Sequence, residues 1–216
     1  MIRIAEIKDL SQISRVHFIC FPKSFSTAMG KGFKGKLMEN FYLEYLKKVP
    51  ELFLVVEDDK HQIVGFCMGY YCDDYHYDKS FIRNNFLKLS LRSLSLIICG
   101  NKMVWKKIMS FIKPKKTKTQ QNNEKKQLQA DVITKNRYSA AEKVELLSIC
   151  VLPEYRGTNI ARDLVNAFIS KAKIHDRKLC CLTVLNDNGR GIAFYEKLGF
   201  EKNKVDGESI HMSKGI

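Results

Sequence analysis

The sequence predicts an α/β sandwich around a mixed sheet. Short β-branched and aromatic runs alternate with amphipathic helical stretches. Their order reads βααββ, then a polar tract, then βαβαββ. With 45% apolar and 28% charged residues in 216, the chain has the balance of one globular domain with a sizeable core.

Residues 1–7 alternate apolar with polar, the period of a half-buried strand, and lack the apolar run and cleavage site of a secretory leader. Leu10, Ile13, Val16, His17 and Phe21 then recur three and four apart, a helix that must stop before Pro22. Residues 22–32 read as a loop. Residues 35–48 carry Leu37, Phe41, Tyr45 and Leu46 at helical steps and close at Val49-Pro50. Residues 52–56 and 63–72 are strand-like runs joined by a polar connection, residues 58–62, short enough for a hairpin. Residues 79–112 predict two helices with basic residues between their apolar positions. Residues 113–140 are rich in Lys, Gln and Asn, too polar to bury a face. Residues 76–140 are therefore expected to form a helical insertion, partly disordered, within a single domain of residues 1–216.

Regular pattern resumes with an apolar strand at 144–151 and a helix at 156–173, where Ile160, Leu164, Phe168 and Ala172 stand four apart. A strand at 178–185, a helix at 188–198 stopped by Gly199, and two strands over 200–214 complete the chain.

The formal charge of +14 raises the question of a nucleic-acid partner, but much of the excess lies between residues 102 and 135, in the pattern of a solvated loop. No nucleic-acid partner is expected. Seven cysteines without a C-x-x-C pair read as free thiols of a reducing compartment, with no metal site. No window approaches the roughly 18 apolar residues of a membrane span, so a soluble, cytoplasmic protein is expected.

The turn after the strand at 144–151 carries the chemistry. The first turn of a helix offers unpaired N–H groups and the positive end of its dipole. Small residues there, Gly157, Thr158 and Ala161, admit an anion to the backbone, and Arg156 adds charge. An ordinary strand-to-helix turn is the plainer alternative. In context, the block from Glu145 to Gly157 resembles the strand and the Q/R-x-x-G-x-G/A signature of the GNAT superfamily of N-acetyltransferases, matched by Arg156, Gly157, Thr158, Asn159, Ile160 and Ala161. Asn159 stands where that family has glycine; Asn tolerates positive φ, so the turn is expected to survive. A second resemblance follows in Asn188 and the run from Ile192 to Phe200, with Gly191 in place of the family's alanine and Thr183 where some relatives carry a glutamate base. The resemblance covers residues 144–214 by motif and residues 1–72 by element order, and similar sequences include uncharacterised bacterial members.

It implies a largely antiparallel sheet and direct transfer of acetyl from acetyl-CoA to a primary amine through a tetrahedral intermediate. Backbone groups of Ile149, Cys150 and Val151 would hold the pantetheine arm, and residues 156–161 the pyrophosphate. Tyr195 would protonate the departing sulfur, unless it is a core aromatic. Asn188 either contacts the cofactor or caps its helix. Glu145, a lone carboxylate in an apolar strand, is the candidate base, since burial raises a carboxyl pKa; an ion pair at the strand edge is its other reading. His17 is a weaker candidate, against a satisfied core histidine. By analogy the acceptor groove lies at the loop with Ser24, Phe25 and Ser26, whose hydroxyls and aromatic wall suit a small amine, an amino sugar of surface-polysaccharide synthesis foremost. A catalytically silent acyl-CoA-binding regulator and a peptide N-acetyltransferase are the alternatives. The basic helices offer a lid or a peripheral surface for an anionic membrane, or simply pack as an inserted hairpin. A monomer or homodimer is expected.

Overall fold

The computed structural model describes residues 1–73, 77–102, 105 and 138–216. The polar tract up to residue 137 and, except for residues 102 and 105, the second helix expected within 79–112 lie outside the described residues.

Strand β1 (Ile2–Ile4) leads to α1 (Leu10–Cys20), α2 (Phe25–Gly30) and α3 (Lys36–Lys48). Strands β2 (Phe53–Glu57) and β3 (Ile63–Tyr71) form the hairpin, followed by α4 (Tyr77–Ile98). Then come β4 (Lys143–Val151), α5 (Ile160–Ile174), β5 (Leu179–Leu185), α6 (Gly189–Lys197), β6 (Glu201–Asp206) and β7 (Ser209–Gly215). Three boundaries differ from expectation, the first being the strand expected over residues 1–7, which ends at Ile4 before a 3-10 turn at Ile7–Asp9. The loop at 22–32 holds a short helix, because Ser24 accepts a hydrogen bond from the Thr27 N–H and caps it. The helix expected from residue 156 starts at Ile160, because Pro153 begins a separate 3-10 turn and Gly157 takes a left-handed φ of 82°.

Among the described residues seven strands form one sheet in the order β1-β2-β3-β4-β5-β7-β6. All neighbours are antiparallel except β4 and β5, which α5 connects as a parallel pair.

The pairing register decides which side chains share a face. Gly65, Cys67 and Gly69 of β3 face α5: the Cys67 thiol donates to Leu164 O, and a Cβ at Gly69 would meet the Phe168 ring at 2.6 Å. Phe66 and Tyr70 alternate to the other face, where their rings meet Tyr42 and Tyr45 of α3. The core fills both faces, with Phe66, Phe168, Tyr42 and Ile13 almost wholly buried. Each such side chain contributes roughly 1.5–3 kcal/mol. Among the described residues no helix is long and apolar enough to cross a membrane.

Candidate active site

Strands β4 and β5 pair only from Lys143 to Leu146 against Leu179 to Leu182. Beyond, β4 stays with β3 as far as Val151 and β5 stays with β7 as far as Leu185, so the two strands part and leave a V-shaped opening. A bulge marks the vertex. Leu146 pairs with Gly69 and Ser148 with Met68, which leaves Leu147 without a partner and half-exposed. The strand crowds its neighbour here: a Cβ at Gly69 would lie 2.0 Å from Glu145 O.

The Leu152 N–H donates to Val64 O. Because N–H groups alternate along a strand, those of Cys150 and Ser148 also point to β3, and those of Ile149 and Val151 point into the opening. These two donors can meet an amide-bearing ligand as an added strand would.

At the mouth of the V, residues 156–161 form the turn into α5. A Cβ at Gly157 would meet nothing within 4 Å, and its φ is one that other residues adopt at a cost. The Thr158 hydroxyl is committed to Tyr155 O at 2.7 Å, and Arg156 is exposed beside the turn with Nε 3.4 Å from Val151 O. An exposed helix N-terminus, an open left-handed glycine and a guanidinium fit a diphosphate. Asn159 corrects one expectation. Its φ is −78°, right-handed, so the turn asks nothing unusual of it; the demand for positive φ falls on Gly157.

Glu145 and Tyr195 approach the V from opposite faces. Glu145 pairs with Tyr70 and Cys181, one step from the vertex, and so points to the face of α1 and α3. Burial raises its pKa to about 7. Tyr195 stands on α6, its ring packed on Phe194 and Phe200 at 5.2 and 5.6 Å, and it senses the thiols of Cys67 and Cys180, which face α5. Burial pushes its pKa far above the usual phenol value, so the hydroxyl keeps its proton. Asn188 caps α6, accepting from the Gly191 N–H at 3.0 Å. A Cβ at Gly191 would lie 2.6 Å from Asn188 Nδ2, which accounts for the glycine there.

His17 is a buried, satisfied side chain. Its Nδ1 lies 2.6 Å from the Tyr42 hydroxyl and its Nε2 3.1 Å from Ser26 Oγ. The direction of these bonds follows from their end. Ser24 donates to Phe21 O, so Ser24 Oγ accepts from Ser26, Ser26 accepts from His17 Nε2–H, and Nδ1 accepts from Tyr42. Burial brings the His17 pKa down to about 4, so this neutral tautomer persists at physiological pH. The hydroxyl protons of Ser24 and Ser26 are thus spent within the loop, leaving only lone pairs for an acceptor. Phe25 lies in the same turn, half-buried.

Sequence reasoning missed Cys20, the last residue of α1. Its thiol donates to Val151 O at 3.3 Å, and Cys150, then Arg156, bring its pKa down to about 7. A single cysteine at a helix end carries no signal for this. Thr183 faces the same side of the sheet, 3.2 Å from His211 Nδ1. Among the described residues no cluster suited to a metal occurs.

Residues 123–202 match the acetyltransferase (GNAT) domain. Over 75 residues the chain is 37% identical to an uncharacterised N-acetyltransferase of Methanocaldococcus jannaschii, a match covering 35% of this chain and 33% of that protein. The chain thus spans about a third of that relative's length. The PaiA N-acetyltransferase of Thermoplasma acidophilum, in complex with coenzyme A, superposes with a TM-score of 0.57 at 18% identity, over 100% of this chain and 98% of that one. Ard1 of Thermoplasma volcanium gives 0.56 at 16%, over 100% and 97%. Naa20 of Chaetomium thermophilum, in complex with a bisubstrate analogue, gives 0.55 at 18%, over 100% and 86%. These structures share the fold, and the match to the acetyltransferase (GNAT) domain spans the parted strands and their turn.

Proposed function

We propose that this protein transfers the acetyl group of acetyl-CoA to a primary amine of a small molecule. The carrying observation is the parting of β4 from β5, with an open turn at its mouth and a half-buried carboxyl and a buried phenol on its two faces. When bound, acetyl-CoA supplies an activated thioester. The Ile149 and Val151 N–H groups would hold its amide arm, and the turn of Arg156, Gly157, Thr158, Asn159, Ile160 and Ala161 its diphosphate. Cys150 offers the arm neither its side chain, which faces α1, nor its N–H, which points to β3.

Glu145, ionised above about pH 7, takes the proton that an ammonium must lose before it can attack. Tyr195 holds a proton on its phenolic oxygen and offers it where a thiolate would leave. The two act from opposite faces, so neither neutralises the other.

The acceptor would enter on the α1 and α3 face, past Ser24, Phe25 and Ser26. Lys23, Lys31 and Lys34 flank that loop, which disfavours a basic peptide and suits an amine that also bears hydroxyls or a negative group. An amino sugar, free or linked to a nucleoside diphosphate, fits this description. The test is thiol release from acetyl-CoA across amino sugars, their nucleotide forms, polyamines and N-terminal peptides. Turnover with peptides alone would remove the sugar, and tight cofactor binding without turnover on any amine would favour a silent regulator.

A further inference from the structure

Helix α4 turns one side to the protein and the other to solvent. Its inner side is fastened to the acceptor loop and α3: Arg92 donates to Ala28 O at 2.7 and 3.1 Å, Asn85 accepts from Asn40 at 2.7 Å, and Asn84 donates to Glu44 at 3.1 Å. Phe81 meets the ring of Phe41, and Leu96 is buried.

The outer side is apolar. Leu87, Leu91, Leu94 and Ile98 follow one another by four, three and four residues, a single stripe along the helix, and they are 70%, 51%, 55% and 76% exposed. Phe86, 67% exposed, widens it. Scattered exposed apolar residues are ordinary, but a continuous stripe marks a surface that meets something. Arg83, Lys88 and Lys102 are exposed beside it. Between residues 79 and 123 the sequence has eleven Lys or Arg and neither Asp nor Glu.

We propose that this face docks on an anionic lipid surface. Such a surface takes apolar side chains into the acyl boundary while its headgroups meet the flanking cations. A second copy on the same face would bring like charges together, the exposed Arg83, Lys88 and Lys102 of both copies. The chain's own tract after residue 102 is equally basic and would do the same. Because Arg92 ties α4 to Ala28, docking also fixes the acceptor loop beside the lipid. That consequence, unlike the docking itself, rests on the acetyl-transfer reading.

The experiment is co-sedimentation of the full chain with vesicles of phosphatidylcholine alone and with about one third phosphatidylglycerol. Leu87→Glu/Leu94→Glu is compared with the native chain, and circular dichroism checks that both fold. The expected result is sedimentation with the anionic vesicles only, reduced roughly tenfold by the double substitution and likewise by high salt. No sedimentation, or equal sedimentation of the double variant, overturns the proposal. So does a dimer in light scattering that the substitutions dissolve while vesicles capture nothing. The readout uses no acetyl-CoA, so its failure and a failure of acetyl transfer are separate results.

Discussion

Replacing Glu145 by Gln keeps the shape of the side chain and removes its capacity to take a proton. The native carboxyl is raised from 4.5 to about 7 by burial, a displacement worth about 3 kcal/mol at 1.36 kcal/mol per unit. Two consequences separate. In kinetics, kcat/KM of the native protein should fall about tenfold per pH unit below 7, as the carboxylate is lost. The Gln variant should be slower by roughly 10²–10⁴ and lack that inflection. In stability, a raised carboxyl helps the fold below its unfolded pKa of 4.5, and that help is lost as pH rises through 7. The Gln variant should therefore match the native protein near pH 4.5 and exceed it at pH 8, by up to about 3 kcal/mol. Thiol release with a reactive amine between pH 5.5 and 9 measures the first, and urea unfolding at the two pH values the second. A variant that keeps kcat/KM within about threefold, or retains the inflection, would refute Glu145 as the base.

Tyr195→Phe should lower kcat by about ten- to a hundredfold while calorimetry finds acetyl-CoA binding nearly unchanged, since only the hydroxyl is lost; a parallel loss of binding would make Tyr195 a packing residue. Gly157→Ala should cost about 1 kcal/mol of stability for its left-handed φ, yet weaken coenzyme A binding by more than tenfold, because the new Cβ occupies the space left open for the anion; unchanged affinity would exclude the turn as the diphosphate site. His17, with its pKa brought down to about 4, contributes stability above 6.5 that is lost as pH falls through 4. Over 4.5–6.5 this opposes the Glu145 effect, so unfolding free energy should be nearly flat there in the native chain and slope upward with pH in Glu145→Gln. An unchanged slope would show that the two groups do not titrate as their burial demands.

The α/β order, the hairpin and both motif helices were legible because each rests on local pattern: Ile160, Leu164, Phe168 and Ala172 announce a helix whatever surrounds them. The turn at Gly157 was legible for the same reason. Glu145 was legible by contrast, as the one acid in an apolar strand. What eluded the sequence depends on register. Leu147 looks like any strand residue, and only its lack of a partner opposite Met68 and Gly69 reveals the bulge. Tyr42 sits one step from the stripe read through Phe41 and Tyr45, yet it is as buried as Tyr45 while Phe41 is only half-buried. Asn159 stands where the motif has glycine and could tolerate a positive φ, but the backbone places that need two residues earlier, at Gly157. The roles of Ser24 and Ser26 turned on hydrogen-bond direction, which no spacing encodes.

The unpaired Leu147 has a consequence for the whole strand. Side chains and N–H groups alternate with period two, so one surplus residue inverts the phase of everything beyond it. Before the bulge, Glu145 looks towards α1 and α3; after it, Ile149 and Val151 turn their donors towards β5. Were Leu147 instead to take a place in the ladder opposite Met68, the second half would shift by one and aim the Ile149 and Val151 donors at β3. The bulge thus lets Glu145 and Ile149, both odd-numbered in one nine-residue strand, face opposite sides of the sheet.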